Sequence, residues 1–295
     1  MLIVESDGLF MVFIHIPKTA GTTLRWILEL SLKKYFTEHS GNRLTSDGKD
    51  STPKISSNHR VVCYGYWNIL NGVDLAHVPF RFFQNYYPPN PDWIKNSKEF
   101  NGTSQYIERG RKGSINVSNL LRHFTLEPQI RKKKIDKSKF VWVTCVRNPY
   151  SRIYSAYCWY NKEKKLPSSP SGFRFFVVIK LQKIVKLFNK SFEENHPPSP
   201  EYIHFIPMWM MISDQNGVPK ANHIIRQEEF DKEVPLLLKR LHLPIPDKYS
   251  NIHCKNKSPP ASYEYLKHYD RETCKIIEKL YLRDFELFGY RRLYI

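Results

Sequence analysis

The sequence predicts an α/β fold in which a short parallel sheet lies between layers of helices. Twice along the chain, an apolar run of strand length leads into a tight turn and the start of a helix. Leu9–Ile14 is the first such run, and residues 140–146 are the second. Unbroken apolar runs rich in β-forming residues are typical of strands covered on both faces. Since 295 residues suit one such unit, we expect a single three-layer domain over residues 1–295.

The turn after the first strand is composed of small and hydroxylated residues: Lys18, Thr19, Ala20, Gly21, Thr22 and Thr23. Backbone N–H groups at a helix start point outward, and the helix dipole favours negative charge there. Lys18 adds a positive charge, and Gly21 allows the backbone to approach a ligand closely. We therefore predict an anion site in this turn. In the triphosphate P-loop the Lys follows the second Gly, whereas Lys18 precedes the only Gly here.

The second turn has a different composition. Arg147 follows the second strand, and Pro149 suits the first turn of the next helix. Ser151 and Ser155 are four residues apart and share one helix face, with Arg152 beside them. A guanidinium fork beside hydroxyl groups predicts a second anion site.

Together and in this order, the two motifs resemble those of sulfotransferases that use 3′-phosphoadenosine 5′-phosphosulfate (PAPS), in the heparan/chondroitin-type carbohydrate version. The resemblance implies a P-loop-NTPase-like sulfotransferase fold. It also implies that residues 18–23 hold the 5′-phosphosulfate while Arg147 and Ser155 hold the 3′-phosphate. A basic loop in related enzymes closes over the cofactor, which makes Lys257 and Ser258 further candidates. Lys18 would stabilise charge on the bridging oxygen, and the sequence requires no metal.

Transfer to a hydroxyl needs a base, because the hydroxyl proton must leave during attack. In the resembled family a His commonly follows the second strand, which we expect at residues 61–64. Tyr66 and Trp67 follow that strand here, and the next His is His77. A His titrates near neutrality, so His77 is our first candidate. Tyr66, His59 or a Glu or Asp elsewhere stay open.

A later segment resembles the family pattern His-x-x-Pro-Gln, which contacts substrate. His204 and Pro207 match, but Met208 stands in place of the Gln. His204 is thus a substrate candidate, as is Tyr66, and it is the reserve choice for the base. Near the end, a family pattern that packs the core is matched by Asp284, Phe285, Phe288 and Tyr290.

The composition is strongly basic, with 46 Lys and Arg against 28 Asp and Glu and a formal net charge of +18. Such a field attracts anionic molecules. Charge alone suggests nucleic acid, but a PAPS enzyme acting on an anionic glycan accounts for the same charge, so we expect no nucleic-acid partner. A basic amphipathic stretch at 171–189 is expected to pack on the domain, with membrane-surface binding as the alternative.

The five cysteines are odd in number and lack metal-site spacing, which favours buried free thiols, with a disulfide such as Cys254–Cys274 left open. No signal peptide or membrane span is visible, so we expect a cytoplasmic protein, or a Golgi-lumen protein if the N-terminus is truncated.

The resemblance therefore implies a sulfotransferase that moves the sulfuryl group from PAPS to a hydroxyl, with a glycan as the expected acceptor, leaving 3′-phosphoadenosine 5′-phosphate. Loops at about 66–135 and 160–210 would select the acceptor. Two other classes stay open. One is a kinase or other nucleotide enzyme, which needs a triphosphate loop. The other is a catalytically degenerate relative that binds polyanions.

Overall fold

The computed structural model describes residues 2–6, 9–39, 60–63, 69–70, 73–83, 105–108, 111–114, 137–165, 169–247, 249 and 263–293. The strands are β1 (Leu2–Ser6), β2 (Leu9–Ile14), β3 (Arg60–Cys63), β4 (Ile69–Leu70), β5 (Val73–Asp74), β6 (Gln105–Glu108), β7 (Arg111–Ser114), β8 (Val141–Val146) and β9 (His223–Arg226). The helices are α1 (Gly21–His39), α2 (Pro149–Glu163), α3 (Pro170–Phe175), α4 (Gln182–Glu193), α5 (Met208–Ile212), α6 (Phe230–Arg240), α7 (Arg271–Leu280) and α8 (Leu282–Phe288).

The main sheet has the strand order β3-β1-β2-β8-β9. β2 and β8 are parallel, with Met11 opposite Val141, and β8 and β9 are parallel, with Val143 opposite His223. The predicted parallel sheet is confirmed in these three strands. β1 runs antiparallel to both β2 and β3, an addition that the sequence analysis did not predict.

Helices cover both faces of the sheet, as the α/β prediction requires. Along β2, Val12 and Ile14 join the core beneath α2, α4 and α7, whereas Met11 and Phe13 join the core beneath α1 and α6. Successive side chains of a strand point to opposite faces, so one apolar run supplies both cores. This explains why β2 has no polar–apolar alternation.

The stretch at 171–189 packs on the domain, as expected. α3 passes into a π-helical segment at Phe176–Leu181, which continues into α4, and we refer to the three together as the long helix. Its inner face buries Phe173, Phe176, Val177, Leu181, Ile184, Val185 and Phe188.

The predicted core-packing pattern near the C-terminus also packs as expected, because Asp284, Phe285 and Phe288 are buried. Cys145, Cys158 and Cys274 are free thiols.

Candidate active site

Three parallel strands deliver their carboxyl ends to one edge of the sheet. β2 ends at Ile14 and leads into the first turn, β8 ends at Val146 and leads into Arg147, and β9 ends at Arg226 and leads into Glu228. Ligands of open α/β sheets bind at this edge. The topology thus brings both predicted anion motifs together although about 130 residues separate them.

The first turn is held in an unusual backbone shape. Lys18 and Ala20 have φ angles of 67° and 65°, in the left-handed region that costs L-residues about 1–2 kcal/mol. The Thr19 hydroxyl donates to the Ile16 carbonyl at 2.8 Å, and the Cys145 thiol donates to the Thr19 carbonyl at 2.7 Å. These bonds tie the turn to the sheet.

The start of α1 follows directly from this turn. The Leu24 N–H donates to the Ala20 carbonyl at 3.1 Å, the first α-helical bond of α1. The N–H groups of Gly21 and Thr22 precede that bond and lie at the positive end of the helix dipole. Because the Thr19 and Thr23 side chains are buried, these two residues offer a ligand their backbone more readily than their hydroxyls.

Gly21 is required for a reason that the sequence did not reveal. A Cβ built on Gly21 would lie 2.0 Å from Cδ2 and 2.5 Å from Nε2 of His15. No side chain fits there while the His15 imidazole keeps its place. Gly21 therefore allows a close approach of His15 to the helix start, in addition to any approach of a ligand.

Lys18 and Arg147 bring two positive charges to this edge. The Arg147 Nη1 donates to the Lys18 carbonyl at 3.3 Å, and its Nε donates to the Ser151 hydroxyl at 2.8 Å. Burial, together with the nearby Arg147, lowers the pKa of Lys18 to about 8. Burial also lowers the pKa of Arg147, although Glu228 opposes that shift.

Neither charge forms a close ion pair with a described residue. Among those residues, no carboxylate oxygen lies within 4.0 Å of the Lys18 ammonium or the Arg147 guanidinium. Both side chains are half-buried, and a charge that is partly withdrawn from water is costly unless a partner compensates it. Two such cations beside a helix start fit a phosphate- or sulfate-bearing ligand.

The second turn is built mainly from side chains. Asn148 caps α2 by accepting from the Tyr150 and Ser151 N–H groups at 3.0 and 3.4 Å, and Pro149 occupies the first helical turn. The Asn148 N–H donates to Glu228 at 2.7 Å. Ser151, the first of the two predicted serines, supports Arg147, while Ser155 lies one helical turn further on and is buried.

Arg152 has a different place from the one its sequence position suggested. It is fully buried, and its Nε and Nη2 donate to the carbonyls of Pro17 at 3.0 Å and His204 at 3.3 Å. Arg152 thus joins the first turn to the His204 segment instead of presenting a free guanidinium beside the two serines.

Three histidine rings, those of His15, His77 and His204, form a row. The ring centres of His15 and His77 are 4.8 Å apart, and those of His77 and His204 are 5.9 Å apart. The indole of Trp159 stacks on His204 at 3.8 Å. Burial lowers the pKa of His15 and of His204 well below the ordinary value, and in each case His77 adds to the effect. Both imidazoles are therefore neutral at pH 7.

The His204 imidazole has one ring nitrogen without a partner among the described residues. Its Nδ1 is buried and makes no hydrogen bond to any described residue. The positive charge of Lys18 contributes to the lowered pKa of His204. His77 and His204, predicted as base and substrate residue, are thus brought together.

Met208 does not take the position expected of the missing Gln. It is fully buried, and its N–H donates to Asp284 at 2.9 Å. The Trp209 N–H donates to the other oxygen of Asp284 at 2.8 Å. Position 208 therefore belongs to the core of this protein.

Two residues of the site were missed by sequence reasoning. His15 follows β2 directly, and a His at the end of a buried strand was the available signal. Trp159 lies four residues after Ser155, so helical spacing placed it on the same face.

The candidates Tyr66, His59, Lys257 and Ser258 lie outside the described residues. Within the described ranges, no group of three or more His, Cys, Asp or Glu side chains is arranged to hold a metal.

The chain was also compared with known proteins. The model of the family described as "Sulfotransferase family" matches residues 2–291. The match includes both turns, the histidine row and the terminal helices. No curated protein and no solved structure matches the chain.

Proposed function

The chain belongs to the sulfotransferase family, and from this premise we propose that it transfers a sulfuryl group from PAPS to a hydroxyl of an anionic carbohydrate. The observation that carries the proposal is the pair of half-buried cations, Lys18 and Arg147, beside the start of α1. Two separated anionic groups on one ligand, as in PAPS, match two cations on neighbouring turns.

PAPS supplies the sulfuryl group when it is bound, and the residues of this chain would position it and balance its charge. The N–H groups of Gly21 and Thr22 would hold the 5′-phosphate region, with Lys18 compensating the charge that develops on the leaving oxygen. The Arg147 guanidinium, fixed by Ser151, would hold the 3′-phosphate. Positioning and electrostatics would supply most of the acceleration.

We assign the base to the histidine pair, with His77 as the first choice. A neutral imidazole accepts a proton, and His77 contacts His204, whose Nδ1 has no hydrogen-bond partner among the described residues. Replacing each with Asn separates the roles. The base variant should lose sulfate transfer at least about a hundredfold, while its donor affinity changes little. If His204 is the base, kcat/KM plotted against pH should fall on the acid side only at a pH below the ordinary pKa of His, because the pKa of His204 is lowered.

The glycan acceptor rests on two supports, the likeness of both turns to carbohydrate-type enzymes and the net charge of +18. It is tested by transfer of labelled sulfate from PAPS to desulfated heparan and chondroitin chains. A tyrosine peptide and a hydroxylated lipid serve as the competing acceptor classes. Transfer to the peptide or lipid alone would replace the glycan while leaving the sulfotransferase proposal intact.

The donor site is tested by calorimetric titration of 3′-phosphoadenosine 5′-phosphate into the wild type, Lys18→Met and Arg147→Met. Micromolar binding should weaken at least tenfold in each variant, a loss of about 1.4 kcal/mol or more. Lys239→Met removes the same charge from an exposed position on α6 and should bind as the wild type does. A folded wild type that does not bind would refute the proposal and favour the polyanion-binding alternative.

A further inference from the structure

The outer face of the long helix exposes three large apolar side chains. Phe175, Ile179 and Leu187 are 58%, 44% and 57% exposed. Their spacing of four and eight residues places them on one stripe of the helix. The inner face of the same helix packs on the domain through seven other apolar residues. The outer stripe is therefore not needed for the core that holds the helix.

Lysines surround this stripe. Lys180, Lys183, Lys186 and Lys190 are exposed on the same side of the helix. Lys190 pairs with Glu194 at 3.7 Å. Across the described ranges, no carboxylate lies within 4.0 Å of the other three. The face thus combines apolar side chains with uncompensated positive charge.

We propose that this face docks in the plane of a membrane surface that contains anionic lipids. Lysines attract acidic headgroups, while aromatic and aliphatic side chains between them insert at the boundary with the acyl chains. A sulfated glycan or a nucleic acid would use the lysines but would gain little from Ile179 and Leu187. No helix among the described residues is long and apolar enough to cross a bilayer.

Helix α6 provides the matched comparison. Its Leu236 is 53% exposed and lies near Lys239 and Arg240. Asp231 and Glu233 share the same helix, so its charge is mixed, and Leu236 is a single apolar residue. Isolated surface apolar residues of this kind are normal. We expect α6 to contribute nothing to membrane binding.

The test is cosedimentation of the whole chain with vesicles of phosphatidylcholine, with or without about one third phosphatidylserine, at near-physiological salt. Neither donor nor acceptor is added, so the result does not depend on sulfate transfer. The variants are Phe175→Ser with Leu187→Ser, Lys183→Glu with Lys186→Glu, and the control Leu236→Ser with Lys239→Glu. All these residues are exposed, and circular dichroism verifies that each variant is folded.

We expect the wild type to bind the acidic vesicles at least about tenfold more tightly than the neutral ones. Both long-helix variants should lose about tenfold or more, and the α6 control should stay within about twofold of the wild type. Absence of binding by the folded wild type would overturn the proposal. Vesicle binding that survives the replacement of Phe175 and Leu187 would also overturn it. A third contrary result would be equally tight binding to heparin that depends on the lysines but not on the apolar side chains.

Discussion

The starts of α1 and α2 both follow a parallel strand, yet they offer a ligand different things. At α1, left-handed backbone angles at Lys18 and Ala20 shape the turn, and the N–H groups of the first helical residues lie at the positive end of the helix dipole. At α2, Asn148 already accepts the first N–H groups, so the useful donor is the side chain of Arg147. One turn thus binds through backbone shape and the other through a guanidinium. A phosphate site can be built either way from the same strand–turn–helix unit.

Arg152, on α2, bonds to both the first turn and the His204 segment, so its loss should cause the largest effect. Arg152→Met would leave the buried carbonyls of Pro17 and His204 without their donor, at about 1–3 kcal/mol each. We expect urea unfolding to show that the free energy of unfolding falls by about 3 kcal/mol, and calorimetry to show weaker binding of 3′-phosphoadenosine 5′-phosphate. Arg174→Met is the control, because Arg174 forms exposed pairs with Asp270 and Glu272 that contribute about 1 kcal/mol or less. Equal losses of unfolding free energy in Arg152→Met and Arg174→Met would contradict the role of Arg152 in joining these segments.

Backbone shape at α1 is tested by exchanging glycine and alanine. Gly21→Ala would force the His15 ring from its place, so we expect a stability loss of about 1–3 kcal/mol and donor affinity reduced at least tenfold. Thermal unfolding and calorimetric titration measure the two effects. Ala20→Gly at the neighbouring position relieves a φ of 65° and should change stability by less than about 1 kcal/mol. If Gly21→Ala binds donor as the wild type does, the turn does not act through its shape.

The side-chain construction of α2 predicts a smaller and separable effect. Asn148→Ala removes the cap of α2 and should cost about 1 kcal/mol of unfolding free energy. Donor affinity should fall less than about threefold, because Ser151 and the Lys18 carbonyl still hold Arg147. Ser169→Ala removes the cap of α3 and should cost the same stability with no change in affinity. A tenfold loss of affinity in Asn148→Ala alone would mean that the cap itself belongs to the binding site.

The smallest expected effect is the uptake of a fraction of a proton by Lys18 when the donor binds. The folded-state pKa of Lys18, about 8, lies below its ordinary value of 10.5, so the unfolded chain binds more protons between these pH values. This group therefore makes stability rise with pH from about 8 to 10.5, a slope that Lys18→Met should remove. An anion bound beside Lys18 raises its pKa again, so donor binding at pH 8 should take up about half a proton.

Calorimetry in buffers of different ionisation enthalpy measures this uptake. Lys18→Met should abolish it, whereas Lys239→Met, at an exposed site, should leave it unchanged. Uptake that persists in Lys18→Met would assign the proton to another group and would separate Lys18 from the bound anion.

Sequence reasoning succeeded where the signal was local. The apolar runs predicted β2 and β8, the turn residues predicted the start of α1, and Pro149 predicted the start of α2. It failed where contacts join distant segments. Arg152 bonds to Pro17 across 135 positions, and Met208 bonds to Asp284 across 76. No periodicity within a short window reports such a contact.

The sequence by itself determined the strand–turn–helix units, their small or charged residues and the basic charge, because each depends on the chain's local preferences. The tertiary structure alone decided that His15, His77 and His204 form one row and that Gly21 makes room for an imidazole. It also decided that Arg152 is buried between the first turn and the His204 segment. Those facts depend on which segments the sheet brings side by side. Burial of apolar surface over the whole chain determines which strands are neighbours in the sheet. The strand order in turn determines where the polar residues at the sheet edge lie.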